Sequence, residues 1–216
     1  MKIYVVGSSK NKFLPLDNIR EKFFIDNKHN GDNIDFLNPW YCELTGLYYL
    51  WKHVNDDIVG LEHYRRYFVN TKGNLLSEPE IIETLKTYDV ICRKFDFKGK
   101  TAYSFFSNER KPYLMKFLSF LPSEERKFIQ YDLTTKKYFE QCNMFICKKH
   151  IISMYMEWFF DYVINFSSKE LLSSPRIIGY ISEFVFGSWL KLNKYRISYK
   201  PAKEFNKTLD KLLYTF

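Results

Sequence analysis

Apolar positions along the chain fall into short β-branched runs and longer stretches with helical spacing. Residues 3–6 form a β-branched run that ends in Gly7-Ser8-Ser9-Lys10, which reads as a first strand and its loop. Residues 11–38 are polar and irregular, with a turn at Asn30-Gly31-Asp32-Asn33. Asn38-Pro39 has the form of a helix start, Asn38 as N-cap and Pro39 at the first helical position. Leu44, Leu47, Tyr48 and Trp51 then recur at i, i+3, i+4, i+7, predicting a helix over 40–54 with one buried stripe. Asn55-Asp56 ends it, and Ile58-Val59-Gly60-Leu61 reads as a buried strand.

The second half is richer in helix. The pattern predicts an amphipathic helix over 78–87, a strand over 90–92, and charged helical pieces through 93–140 punctuated by Pro112 and Pro122. A buried strand over 143–147 leads into a helix over 150–164. Ser174-Pro175 repeats the cap-then-proline start of a helix that runs to about Leu192. Residues 195–199 read as a last strand and 200–216 as a helix or tail. Strands alternating with helices predict a single α/β domain over 1–216, a mainly parallel sheet flanked by helices with a helix-rich C-terminal half.

Composition narrows the class. With 216 residues, 46% hydrophobic and 19% aromatic, the chain is neither disordered nor dependent on disulfides or metal for a core. Cys42, Cys92, Cys142 and Cys147 form no CxxC pair, so reduced thiols are expected. The N-terminal apolar run is too short for a signal sequence, and no stretch approaches the ~18 apolar residues that span a bilayer. A soluble, cytoplasmic protein is expected. The net charge of +8 favours anionic partners without choosing among them.

The chemistry gathers in three places. Asp56 to Phe68, DDIVGLEHYRRYF, is an apolar run ending in charge and aromatics, as at the carboxyl end of a sheet strand where α/β ligands collect. If extended, it puts His63, Arg65 and Tyr67 on one face and Tyr64 and Arg66 on the other. The two arginines suit a diphosphate; surface ion pairs with Glu62, Asp56 or Asp57 are the plain alternative. Within 40–54, Tyr41, Glu43, Thr45 and Gly46 lie off the apolar stripe, and a mid-helix glycine marks a close approach by a ligand or another backbone. Gly179, Glu183 and Gly187 form one line along the last long helix, a groove for a packed element or for substrate. HExxH, DxD, GxGxxG, GxxxxGK[ST] and GxSxG are all absent, and the four histidines are scattered.

The string GDNIDFLNPWYCELTGLYYLWKH followed by DDIVGLEHYRRYF resembles a family of bacterial capsular and exopolysaccharide biosynthesis proteins, an originally unassigned domain family. QCNMFICKKH and IIGYISEFVFGSWLKLN match two further stretches of that family, so the likeness spans nearly the whole chain. The middle segment, 101–140, is shorter than is usual there and lacks its histidine cluster. The resemblance implies a GT-A-like fold and transfer of a sugar from a nucleotide diphosphate donor, a UDP-sugar first among them. The acceptor would be a lipid-linked or oligosaccharide glycan, with peripheral contact at the inner membrane surface.

It also implies that EHYRR stands where that fold usually carries DxD. His63, Arg65 and Arg66 would then neutralise the diphosphate; a divalent metal is allowed but not expected, and no metal ligands are assigned. Lys10, Asp32 and Asn33 would lie near the nucleotide and its phosphates; Tyr41, Thr45 and Asn143 near donor sugar or acceptor. Glu183 or Glu43 would be the general base. The rival readings are a basic nucleic-acid-binding module, disfavoured because acidic and basic residues are interspersed, and a non-catalytic scaffold of a glycan-assembly complex.

Overall fold

The computed structural model describes residues 1–14, 16–170, 174–206 and 209–215. β1 (Lys2–Gly7) pairs in parallel with β2 (Arg20–Phe24) on one side and β3 (Ile58–His63) on the other, so three carboxyl ends share one edge. β4 (Arg66–Phe68) returns antiparallel to β3 with His63 opposite Arg66. β6 (Tyr138–Lys148) runs antiparallel between β3 and β5 (Val90–Asp96), and β7 (Ile197–Tyr199) joins β5 in parallel. β8 (Ala202–Asn206) pairs with β4 and with β9 (Leu209–Thr215), both antiparallel. The α/β architecture holds, with these antiparallel members added to the parallel β2-β1-β3 group.

Alternation along the strands gives the sheet two apolar faces. Phe145 and Cys147 of β6 join the larger core, while Met144 and Ile146 join a smaller one. The smaller face is covered by α3 (Glu78–Thr87), which occupies the span read from its periodicity and starts with a capping box between Ser77 and Glu80. The larger face carries α2 (Leu44–His53), α5 (Lys111–Ser119), α6 (Ser123–Thr135), α7 (Lys149–Glu170) and α8 (Ile177–Leu192). α4 (Ala102–Phe105) is a single turn ahead of α5.

Five expectations are corrected. The helix predicted over 40–54 is two: α1 (Asn38–Tyr41) and α2, separated at Cys42, whose φ of 52 and ψ of −126 no α-helix accommodates. Asn38 lies inside α1 and makes no side-chain cap, because a 3-10 turn over Asp35–Leu37 leads straight into it. β2 sits within the segment read as irregular, and α8 starts after Ser174-Pro175, at Ile177. The segment 200–216, read as helix or tail, supplies β8 and β9, except for residues 207, 208 and 216, which lie outside the described set.

Candidate active site

The stretch HYRR is not extended. The chain reverses at Tyr64-Arg65, so the period-two assignment fails: His63 and Arg66 are cross-strand partners on one face, and Arg65 sits in the turn. His63 Nε2 donates to the Cys142 carbonyl at 2.7 Å, which leaves Nδ1 as the lone-pair nitrogen. Burial drives His63 below the ordinary imidazole range, opposed by the charge of Glu43 and reinforced by Arg66 and Arg65. Burial thus works against the cationic form of His63, and the bond to the Cys142 carbonyl ties the ring to β6.

Arg66 is already engaged. Its Nε and Nη2 reach Glu204 of β8 at 3.1 and 2.9 Å, and Nη1 donates to the Cys142 sulfur at 3.3 Å. The plain alternative of ion pairing thus holds for Arg66 but with a different partner, since Glu62 is fully buried in a two-pronged pair with Arg20 and Asp56 holds the N-terminal amine. Arg65 keeps an open donor: its Nε is buried without a hydrogen-bond partner, and its guanidinium lies 5.6 Å from the Tyr64 ring centroid. Phe13 packs beside Tyr64 at 6.2 Å, and both press on Gly7 at the end of β1, where a Cβ would stand 2.8 Å from each. This pair of rings at the carboxyl edge had no periodic signal in the sequence.

Two carboxylates lie next to this edge. The break at Cys42 turns Glu43 inward to 8% exposure, where its Oε1 accepts from Asn143 Nδ2 at 3.1 Å. Asn143 Oδ1 accepts from Ser182, whose oxygen is 2.8 Å from the Tyr155 hydroxyl, so a buried polar chain runs from α7 through α8 and β6 to Glu43. Glu183 Oε1 accepts the Cys142 backbone N–H at 2.7 Å. Burial first, then the charge of Glu43, pushes Glu183 up to about 7, against Cys142 and Arg66. The two glutamates line one narrow crevice with Cys42, Arg176, Gly179 and Tyr180.

The backbone around them is strained. Among the described residues, the non-glycine residues with left-handed φ are Cys42, Lys98, Cys142, Asn143, Arg176 and Lys194, and four of these border the crevice or bind its carboxylates. Each costs roughly 1–2 kcal/mol and persists only where surroundings over-determine it, which is common at active sites. Cys142 and Asn143 lie where β6 bulges, because Cys92 pairs with Phe145 but Lys94 pairs with Glu140. The thiols are no nucleophiles: burial and then Glu43 lift Cys42 to about 11, and burial and then Glu183 lift Cys142 well above the ordinary thiol range.

The remaining expected residues are placed elsewhere. Asp32 accepts from the Tyr48 hydroxyl and the His53 ring, and Asn33 donates to His29 and Gly31 carbonyls, so GDNI is a clasp onto α2. Lys10 is exposed beyond β1, in a turn tied down by Ser8 and Ser9 bonds to Asp26. Tyr41 and Thr45 are 2% and 1% exposed, and Thr45 donates to the Cys42 carbonyl, so both pack at the helix break. Gly46 makes room for Phe23 and Val6 of the sheet. The Gly179-Glu183-Gly187 line is a groove for backbone and side chain: the Tyr41 carbonyl meets Gly179, and the Glu140 carboxylate occupies the space a Gly187 Cβ would need. A divalent cation fits poorly at the β3 end, since Glu62 faces Arg20 and His63 Nε2 is bound; among the described residues no cluster of three or more His, Cys, Asp or Glu could hold a metal.

Comparison with known proteins adds the family. The profile described as a domain of unknown function, DUF4422, matches residues 2–194. Among solved structures, the apo structure of the bifunctional glycosyltransferase WbbM matches with a TM-score of 0.75 at 22% identity. The match covers 97% of this chain and 47% of that one, so the chain spans about half the length of its structural relative. At that identity the likeness carries the GT-A-like fold. A comparison with curated proteins found no match.

Proposed function

This chain belongs to the DUF4422 family, and we propose that it is a glycosyltransferase using a nucleotide-diphosphate sugar, a UDP-sugar first among candidates, to extend a cell-surface glycan such as a capsular or exopolysaccharide. The observation that carries the reading is the carboxylate pair of buried Glu43 and half-buried Glu183, set beside a guanidinium-bearing turn at the carboxyl edge of parallel strands. A base with a pKa near 7 is matched to removing a hydroxyl proton at neutral pH.

In this reading the base stacks at Tyr64 and Phe13, and Arg65 holds the diphosphate. Arg66 and His63 fix the turn and the Cys142 backbone against which Glu183 rests. The acceptor hydroxyl gives its proton to the ionised member of the Glu43–Glu183 pair. Its oxygen bonds to the sugar C1 as the bond from C1 to the diphosphate oxygen breaks, and the electron pair leaves with the diphosphate. Fixed donors aimed at that departing charge are the largest catalytic contribution such a site supplies. Arg65 takes the part a metal ion plays in related folds, and the acceptor is an oligosaccharide or lipid-linked glycan reached from the membrane surface. No helix among the described residues is long and apolar enough to cross a membrane.

A thermal-shift series with UDP-, GDP-, dTDP- and CMP-sugars tests donor binding. A ligand at a hundred times its Kd stabilises the fold by about 2.7 kcal/mol. One nucleotide class is expected to raise Tm equally with EDTA and with manganese. Absence of any shift, or a shift that vanishes in EDTA, contradicts the metal-independent donor site.

A further inference from the structure

Arg176 lines the far end of the crevice and Arg110 packs beside it on Tyr180, two arginines that the transfer reading leaves unused. Tyr180, half-buried on the first turn of α8, is flanked by Arg110, 4.2 Å from its ring centroid, and Arg176, 5.3 Å away. Arg110 precedes α5 and is set by a turn in which its N–H donates to Ser107. Arg176 precedes α8 with a left-handed φ of 65, its N–H held by the Pro39 carbonyl at 2.9 Å and its Nε donating to the Cys42 sulfur at 3.3 Å. Both guanidinium groups thus have fixed roots. Arg110 is half-buried and Arg176 exposed, and among the described residues no carboxylate lies within 4.0 Å of either.

Position then assigns the ligand. Arg176 and Glu183 lie seven residues apart along α8, roughly 10 Å at 1.5 Å per residue. The crevice, about 10 Å³ and so room for one water, has Arg176 and Tyr180 at one end and the two carboxylates at the other, with Arg110 outside it against the Tyr180 ring. A saccharide would lie across its mouth, and Glu183 in turn abuts Cys142, which His63 and Arg66 hold. We propose that Arg110, Tyr180 and Arg176 form a binding site for the phosphate of a phosphorylated saccharide acceptor, the ring stacking on the sugar beside it. The acceptor hydroxyl then lies at Glu43 and Glu183, about 10 Å from its phosphate, with the donor on the opposite side. This rests on the transfer reading for the direction of the crevice, and it names the acceptor class that reading leaves open. Paired guanidinium groups suit phosphate, whose oxygens accept two parallel N–H donors.

Glucose 1-phosphate is the probe, with UDP as the donor-side control, measured by equilibrium binding to the full chain and to an Arg110→Gln/Arg176→Asn variant. Asparagine tolerates the left-handed backbone at 176, and a Tm within a few degrees of the parent establishes that the variant is folded; Arg110→Gln alone serves if it is not. The double variant, or the single one in its place, is expected to bind glucose 1-phosphate at least tenfold more weakly, with UDP affinity unchanged. The parental affinity is expected to fall with added salt. Unchanged glucose 1-phosphate affinity overturns the site, and so does an equal loss of UDP affinity, which would make these arginines part of the donor site. If the parent binds glucose 1-phosphate but no nucleotide, the transfer reading fails while the arginine comparison still decides the anion site.

Discussion

Glu183 shows how one residue couples stability to chemistry. Its pKa rises from 4.5 to about 7 through burial and then the neighbouring Glu43 charge. Between those values the folded chain holds a proton that the unfolded chain has lost, so stability falls as pH rises through that window and stays lower above it. At one kcal/mol or slightly more per unit, the full effect is on the order of 3 kcal/mol. Glu183→Gln keeps an acceptor for the Cys142 N–H and removes the titration. It is expected to flatten the decline in Tm from pH 5 to 7 and to abolish transfer; a variant whose Tm follows the parental pH profile contradicts the protonated, half-buried carboxylate. Much of this was legible in the sequence: Glu43, Glu183 and Asn143 were all marked. What was not legible was their joining, because the Asn143 bond to Glu43 spans 100 residues and depends on two left-handed residues in β6.

Elements whose own periodicity decides them were readable, and elements decided by neighbours were not. α3 carries its capping box and stripe within its own residues and was placed to its ends. The break at Cys42 was hidden because the repeat at Leu44, Leu47, Tyr48 and Trp51 belongs wholly to α2, and α1 contributes too few positions to show a change of phase. β2, with adjacent exposed Glu21 and Lys22 in place of an alternating pattern, exists because β1 offers it a ladder, and β8 because β4 does. α8 illustrates the same division: its glycines were noted, while their partners come from α1 and β6. At Gly187 a methyl group would overlap the Glu140 carboxylate, which is fully buried and accepts from the Tyr199 hydroxyl at 2.8 Å. Gly187→Ala is therefore expected to destabilise by about 1–3 kcal/mol or more, whereas Gly99→Ala, with open space around it, meets only its φ of +88. Denaturant melts of both variants check this, and a Gly187→Ala melt no worse than that of Gly99→Ala contradicts the packing of β6 on α8.

At the scale of the molecule, the arrangement places unlike chemistry along one line. The parallel β2-β1-β3 group ends in rings and Arg65, the bulge of β6 and the break after α1 bring two carboxylates beside it, and the start of α8 adds a second cationic end. The antiparallel pairing of β4 with β8 sets the balance of charge, since Glu204 binds Arg66 and approaches Arg93, leaving Arg65 as the guanidinium of HYRR without a carboxylate among the described residues. Fold class and flanking helices were visible in the alternation of patterns; the order of strands was not, because β6 inserts between β3 and β5 through contacts far apart in the chain. The most direct test is the initial rate of nucleoside diphosphate release from nucleotide-sugars with a phosphorylated saccharide acceptor, for the parent and for Arg65→Ala. The account predicts release from one nucleotide class, falling on the order of a hundredfold or more in Arg65→Ala while the variant's Tm stays near the parent's. Equal rates in the two proteins, or no release from any nucleotide-sugar, would contradict it.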